Sequence, residues 1–287
     1  MLCLNLCEII SNNQMESACL ERLLELFLEK EKRVERIYMG SSFCSQYYIG
    51  FNGYKNILYI CKSRGIPVTL VIPIFSEKDI ECGKKKTIEI CQCLDGIIDE
   101  ITVNDIGMLS WLNKQKGYHI NLGRLFFKDA RDCRVPEYYQ EQVSPFFLSN
   151  IKNDYWRQFH INGVELDPTN RRIVTDVLED CDFCIGVHMP YCYMTNGNIC
   201  KFASVHRPVN KKFRPNLSCA MECMHISDTY SGYMHQTDCY PMLHRFGRTL
   251  YFKVESVEIV EKNTDRIIYF PIDEWREIKN ENIGSVN

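Results

Sequence analysis

The residues in this sequence best suited to chemistry are cysteines with the pattern Cys192-x7-Cys200-x18-Cys219-x3-Cys223. Thiolates are the ligands that zinc and iron–sulfur clusters both select, and the Cys219-x3-Cys223 spacing fits either. The stretch that carries them, from Met189 to about Ser227, is rich in Cys, Asn, Pro and basic residues and has no clear period. Such a stretch cannot hide several sulfurs in an apolar core, so the pattern points to metal ligation and leaves the metal open. A further thiol, Cys44, stands in Tyr38-Met39-Gly40-Ser41-Ser42-Phe43-Cys44-Ser45, just past an expected strand.

Two elements must bring these sulfurs together. Arg36 to Gly40 reads as a strand that ends shortly before Cys44, and Phe183 to Val187 as a strand that ends before the Cys-rich segment. Between and around them the chain alternates. Leu20, Leu23, Leu24, Phe27 and Leu28 recur at helical spacing, a helix through Ile57, Leu58 and Ile60 stops at Gly65, and Val68 to Ile74 is a continuous apolar run. Runs of that kind are strands buried on both faces of a parallel sheet. Helices over Glu77 to Cys93 and Gly107 to Lys116 alternate with strands at Ile97 to Val103 and Tyr118 to Leu122. Ser144-Pro145 opens a helix toward Arg157, and Asp167-Pro168 caps one through Val177 after the strand Val164 to Leu166. Six or seven such units predict an α/β fold, a parallel (β/α) TIM-like barrel, complete or incomplete, with a doubly wound open sheet as the other reading. One barrel-like domain spans 1–287, with a Cys-rich segment at 189–227 over the C-terminal face and a C-terminal extension at 228–287. Strand-like pieces at Thr249 to Val254 and Arg266 to Phe270 suggest a small β appendage. In a barrel the carboxyl ends of the strands share one face, so Cys44 and the Cys-rich segment open onto the same side.

Composition narrows the function. The chain has 287 residues, 45% hydrophobic and 25% charged, with a net charge of −3. No basic field is available for phosphate backbones, which argues against nucleic acid as a partner. The longest apolar run, Ile66 to Phe75, is about half a membrane span, and the N-terminus lacks a basic leader region, so a cytoplasmic protein is expected. The 16 cysteines are therefore read as thiols. Cys3, Cys7, Cys61, Cys91 and Cys181 lie in apolar patterns and are read as packing residues.

These motifs together resemble the UbiV-type proteins of peptidase family U-32, the collagenase-like group. The resemblance runs through Ile37-Tyr38-Met39-Gly40 with Cys44-Ser45, Val103 to Gly107, His119 to Arg124, Gly163 to Asp167, Val187 to Pro190, Thr195 to Ser204 and Cys219-x3-Cys223, about residues 35 to 225. It implies a parallel barrel and a [4Fe-4S] cluster ligated by Cys44, Cys200, Cys219 and Cys223, with Cys192 near the cluster but not bound to it. It differs from the family in a longer gap between Cys200 and Cys219. The family's association with oxygen-independent hydroxylation, using an organic oxygen donor such as prephenate, implies an anaerobic hydroxylase. Acidic net charge favours a small molecule or a peptide as substrate. The resemblance also implies a second U-32-type chain as partner, so that this chain is either one subunit of an enzyme or a non-catalytic cluster-binding subunit. Proteolysis, which the family name suggests, ranks last, because the sequence offers no identifiable nucleophile–base pair and no His-Glu-x-x-His motif.

The other residues have blander readings beside the chemical one. His188, at a strand end, is a catalytic candidate or a hydrogen-bonded structural histidine. Glu165 is a catalytic candidate if it faces the barrel interior, and Asp167 reads as a helix cap. Asn104 and Asp105 read as a turn before a helix. His206-Arg207 and Lys211-Lys212 read as a solvated face that could attract an anionic substrate. Gly40-Ser41-Ser42 falls short of a phosphate loop.

Overall fold

The computed structural model describes residues 1–10, 16–94, 96–115, 117–127, 156, 158–167, 182–215, 217, 219–224, 228–231, 242–254 and 264–284. Eight parallel strands close into a barrel. They are β1 (Leu2–Asn5), β2 (Arg36–Gly40), β3 (Val68–Ile72), β4 (Ile98–Val103), β5 (His119–Leu122), β6 (Ile161–Leu166), β7 (Cys184–Met189) and β12 (Arg266–Tyr269). Each of the first six pairs with the next in sequence, and β12 closes the ring between β7 and β1. Between β7 and β12 the chain builds a second sheet from β8 (Tyr191–Asn196), β9 (Asp228–Ser231), β10 (Met242–Phe246) and β11 (Thr249–Lys253), antiparallel in the order β8-β11-β10-β9. No described helix is long and apolar enough to cross a membrane.

The expected barrel is thus present, and it is closed. Two of its strands differ from expectation. Arg266–Tyr269, read as part of a β appendage, is instead the eighth strand of the barrel, paired in parallel with both of its neighbours, β1 and β7. The strand β1 occupies an N-terminus too short to show a period. β8 also lies in the stretch read as aperiodic, because its Thr, Asn and Cys content hides the alternation. The helices expected from Ser144 and after Asp167, and Cys181, lie outside the described residues.

The helices follow from their sequences. In α1 (Glu16–Glu29), Leu20, Leu23, Leu24 and Phe27 are buried, each worth about 1.5–3 kcal/mol. Helix α2 (Ser45–Gly50) is capped by Cys44, and α3 (Tyr54–Arg64) ends at Gly65 in the left-handed region. Helix α4 is Ile80–Cys93, α5 is Ile106–Leu112 capped by Asp105, and α6 is Ile272–Gly284. Alternate strand residues such as Leu4, Ile37, Leu70 and Ile101 pack outward in the main core.

The inward residues are different. A typical barrel is filled by Val, Ile and Leu. Here a small apolar group (Cys3, Cys7, Tyr38, Val71, Ile268) shares the interior with charge. Arg266 on β12 reaches across the lumen to both oxygens of Glu100 on β4, at 2.7 Å, and to the Tyr38 hydroxyl at 3.2 Å. Thr69 donates to Glu100 at 2.7 Å, and Arg36 clasps the half-exposed Asp99 at 2.6 and 2.9 Å.

A buried pair of this kind adds little net stability, but stranding one partner is costly. Arg266→Met is therefore expected to lower the unfolding free energy by about 3 kcal/mol, and Arg266→Met with Glu100→Met to recover most of it. Urea unfolding of both variants checks this; an equal loss in the double variant would contradict it.

Candidate functional site

The carboxyl ends of the barrel strands open toward the antiparallel sheet, and one cavity there collects the cysteines. Cys44, Cys200, Cys219 and Cys223 all line it, with Glu8, Arg248, Phe202, Ala203, Leu217 and Met221 among the other walls. The cavity is partly open and has a volume of about 30 Å³. Cys44 comes from the β2–α2 turn, Cys200 from the loop after β8, and Cys219 and Cys223 from the segment before β9. Cys192 is elsewhere. It is fully buried on β8, packed with Leu243, Phe252 and Val254. Among the described residues no three His, Cys, Asp or Glu side chains form a ready single-ion site.

The turn that carries Cys44 is held from three sides. Gly40 ends β2 at φ 114°, and a Cβ there would lie 2.3 Å from the Val71 carbonyl oxygen, so only glycine lets the chain leave the strand here. Glu8, just past β1, places one carboxylate oxygen beneath the turn. That oxygen accepts the Phe43 N–H at 2.8 Å, the Cys44 N–H at 3.0 Å and the Ser41 hydroxyl. From above, Arg248 at the β10–β11 hairpin tip donates through Nε (2.9 Å) and Nη2 to the Phe43 carbonyl. Cys44 Sγ accepts the Tyr47 N–H at 3.5 Å.

Beside this turn Arg124 is buried between Asp167 (3.1 Å) and the Phe43 ring (4.8 Å to its centre). Tyr193 and Tyr251, from the antiparallel sheet, pack on the same ring. These contacts seat the second sheet on the barrel mouth.

Burial disfavours the thiolate form of Cys44, Cys219 and Cys223. Burial pushes the Cys44 thiol up to about 12, against the pull of Arg248 and with a further push from Glu8. Burial also raises Cys219, where Arg248 again pulls the other way. Cys223 is raised by burial first and then by Cys44, Cys200 and Cys219, which places the four sulfurs within one another's fields. Thiolate ligation of a metal displaces protons, and Arg248 is the positive charge that acts on both Cys44 and Cys219.

Glu165 and His188 do face the interior and meet at 2.8 Å, both nearly fully buried, but neither lines the cysteine cavity. Thr102 donates to the other Glu165 oxygen. Asp167 is the partner of Arg124, Asp105 caps α5 and accepts the Phe75 N–H, and Asn104 bridges the Ile72 carbonyl and the Leu125 N–H. His206 and Lys211 are exposed, Arg207 and Lys212 half-buried. Glu8, Arg124 and Arg248 were not singled out from sequence. Glu8 becomes visible once β1 is recognised, because it then stands at a strand's carboxyl end; the hairpin tip gives Arg248 no such signal.

The sequence matches no protein-family model, and no curated protein matches it. Among solved structures it is similar to one titled "The Structure of the U32 Peptidase Mk0906". The TM-score is 0.48 at 10% identity, covering 94% of this chain and 91% of that one. The fold assignment stands on the strand pairing of this chain.

Burial raises Glu165 from the ordinary 4.5 to about 8, with Thr102 pulling the other way. The folded chain thus holds a proton that the unfolded chain releases near 4.5, so this group's contribution to stability is full below that pH and is lost as pH rises to about 8. Glu165→Gln keeps the shape without the titration. Its stability is expected to fall less between pH 5 and pH 8 than that of the parent, by up to about 1.4 kcal/mol per pH unit. Parallel slopes in thermal melts would contradict this.

Proposed function

We propose that the chain is an iron–sulfur protein that holds a [4Fe-4S] cluster on Cys44, Cys200, Cys219 and Cys223 at the barrel mouth. In this reading it serves oxygen-independent hydroxylation of a small molecule or peptide, as one subunit of a pair with a second U-32-type chain. The observation that supports it is the common cavity bordered by four thiols from three distant chain segments. Four thiolates are the full ligand set of a cubane, so the donor chemistry fits the group. Bound there, the cluster would supply one-electron chemistry in a water-poor setting.

The chain's own residues would do the rest. Glu8 and Arg248 fix the Cys44 turn from opposite sides. The Tyr47 N–H bonded to Cys44 Sγ and the positive charge of Arg248 are the kinds of contact that tune a cluster's potential. Phe202, Ala203, Leu217 and Met221 limit the access of water and oxygen. Zinc would compete for the same sulfurs, without colour and without sulfide.

The test is anaerobic purification followed by visible absorption and iron and sulfide analysis. About four irons and four sulfides per chain are expected. Cys44→Ala, Cys200→Ala, Cys219→Ala and Cys223→Ala are each expected to lose the colour, and Cys192→Ala to keep it. Cysteine-to-serine variants with unchanged circular dichroism separate ligand loss from misfolding. Bound zinc without sulfide, or colour kept in Cys44→Ala and lost in Cys192→Ala, would contradict the reading.

A further inference from the structure

The segment that walls the cavity has a second face. From Tyr191 to Met221 it contains five Lys and Arg and no Asp or Glu, in a chain whose net charge is −3. Its inner side supplies Cys200, Phe202 and Cys219 to the cavity. Its outer side exposes Val205 (44%), Val209 (86%) and Phe213 (58%) beside exposed Lys211 and Arg214. Single exposed apolar residues are ordinary, but several grouped among cations on one short segment mark an interaction surface.

Phe213 shows how the two faces are joined. It is one of few non-glycine residues held in the left-handed region, at φ 53°, a conformation that costs energy unless its surroundings impose it. Its N–H donates to Ser204 Oγ at 3.0 Å, and Ser204 Oγ donates to the Cys200 carbonyl at 3.1 Å. The exposed ring is therefore two hydrogen bonds from the backbone of a proposed cluster ligand.

We infer that the outer face of residues 199–215 is a docking surface for an acidic one-electron carrier protein that exchanges electrons with the proposed cluster. The inference rests on the cluster reading above. Interfaces for electron transfer are small and are selected by complementary charge as much as by area. An acidic partner is repelled by the net charge of the chain and attracted by this face, which orients it over the cavity. One electron leaves the reduced partner and enters the oxidised cluster; no bond forms or breaks and no proton has to move. Nucleic acid is disfavoured as the occupant because Phe213 is the only exposed large ring among the described residues of the patch, and single strands need a series of stacking platforms.

The test uses a reduced acidic [2Fe-2S] ferredoxin as the probe, with the anaerobic protein and its Lys211→Glu/Lys212→Glu/Arg214→Glu variant. Binding to the parent is expected to weaken with salt, and the variant is expected to bind at least about tenfold more weakly. Reduction by the ferredoxin should slow in step, while reduction by dithionite stays unchanged. Phe213→Ser, which leaves all charges in place, should also weaken binding. Equal affinity of parent and triple variant would overturn the surface, as would tighter binding of a single-stranded oligonucleotide or an anionic vesicle than of the ferredoxin. A colourless protein would overturn the cluster reading instead, and its ferredoxin affinity would still decide the surface.

Discussion

Parallel strands that close on themselves must put all their carboxyl ends on one rim, and the mouth of this molecule follows from that constraint. Closure depends on β12, which enters the ring between β7 and β1 only after the chain has built a separate antiparallel sheet. The detour returns the chain to the rim, where Cys200, Cys219, Cys223 and Arg248 line one cavity. Cys44 is already there, at the end of β2. Residues more than 150 positions apart meet because the barrel leaves their turns nowhere else to go.

The interior explains why the rim is polar and still ordered. Arg266, Glu100, Arg36 and Thr69 fill the lower lumen with a bonded charge network, and Glu165, His188 and Thr102 form a second one above it. Each buried charge has a partner on another strand, so the networks favour one arrangement of the barrel over alternatives. At the top, Arg124 and Asp167 continue the pattern under the Phe43 ring. Glu8 then uses a single oxygen to hold three donors of the Cys44 turn. The Cys44 position is thereby set by backbone contacts, independent of what its sulfur binds.

Much of this was legible in the residues. The apolar run at Val68 to Ile72 and the Gly65 stop reveal βα alternation because buried parallel strands and amphipathic helices have different periods. The turn expected at Asn104 and Asp105 is the start of α5, where Asp105 caps the helix, and of the two ways Glu165 could face, the structure shows the interior one. Three things were hidden. β1 is four residues long, too short for any period. β12 follows a long insertion, so chain order suggests an appendage where the sheet requires a closing strand. Arg248 acts only through the Phe43 carbonyl, a backbone contact across 205 positions that no side-chain pattern announces. Cys192 was separable from the other cysteines only by the family resemblance, and its burial among Leu243, Phe252 and Val254 places it in the packing of the second sheet.

The most direct measurement is anomalous diffraction at the iron and zinc edges from crystals grown without oxygen. If the four thiols hold one cluster, a single compact iron peak will lie in the cavity, bordered by Cys44, Cys200, Cys219 and Cys223, with Arg248 beside it and Cys192 remote. A zinc peak in its place, or iron bordered by Cys192 with Cys44 unbound, would contradict the assignment.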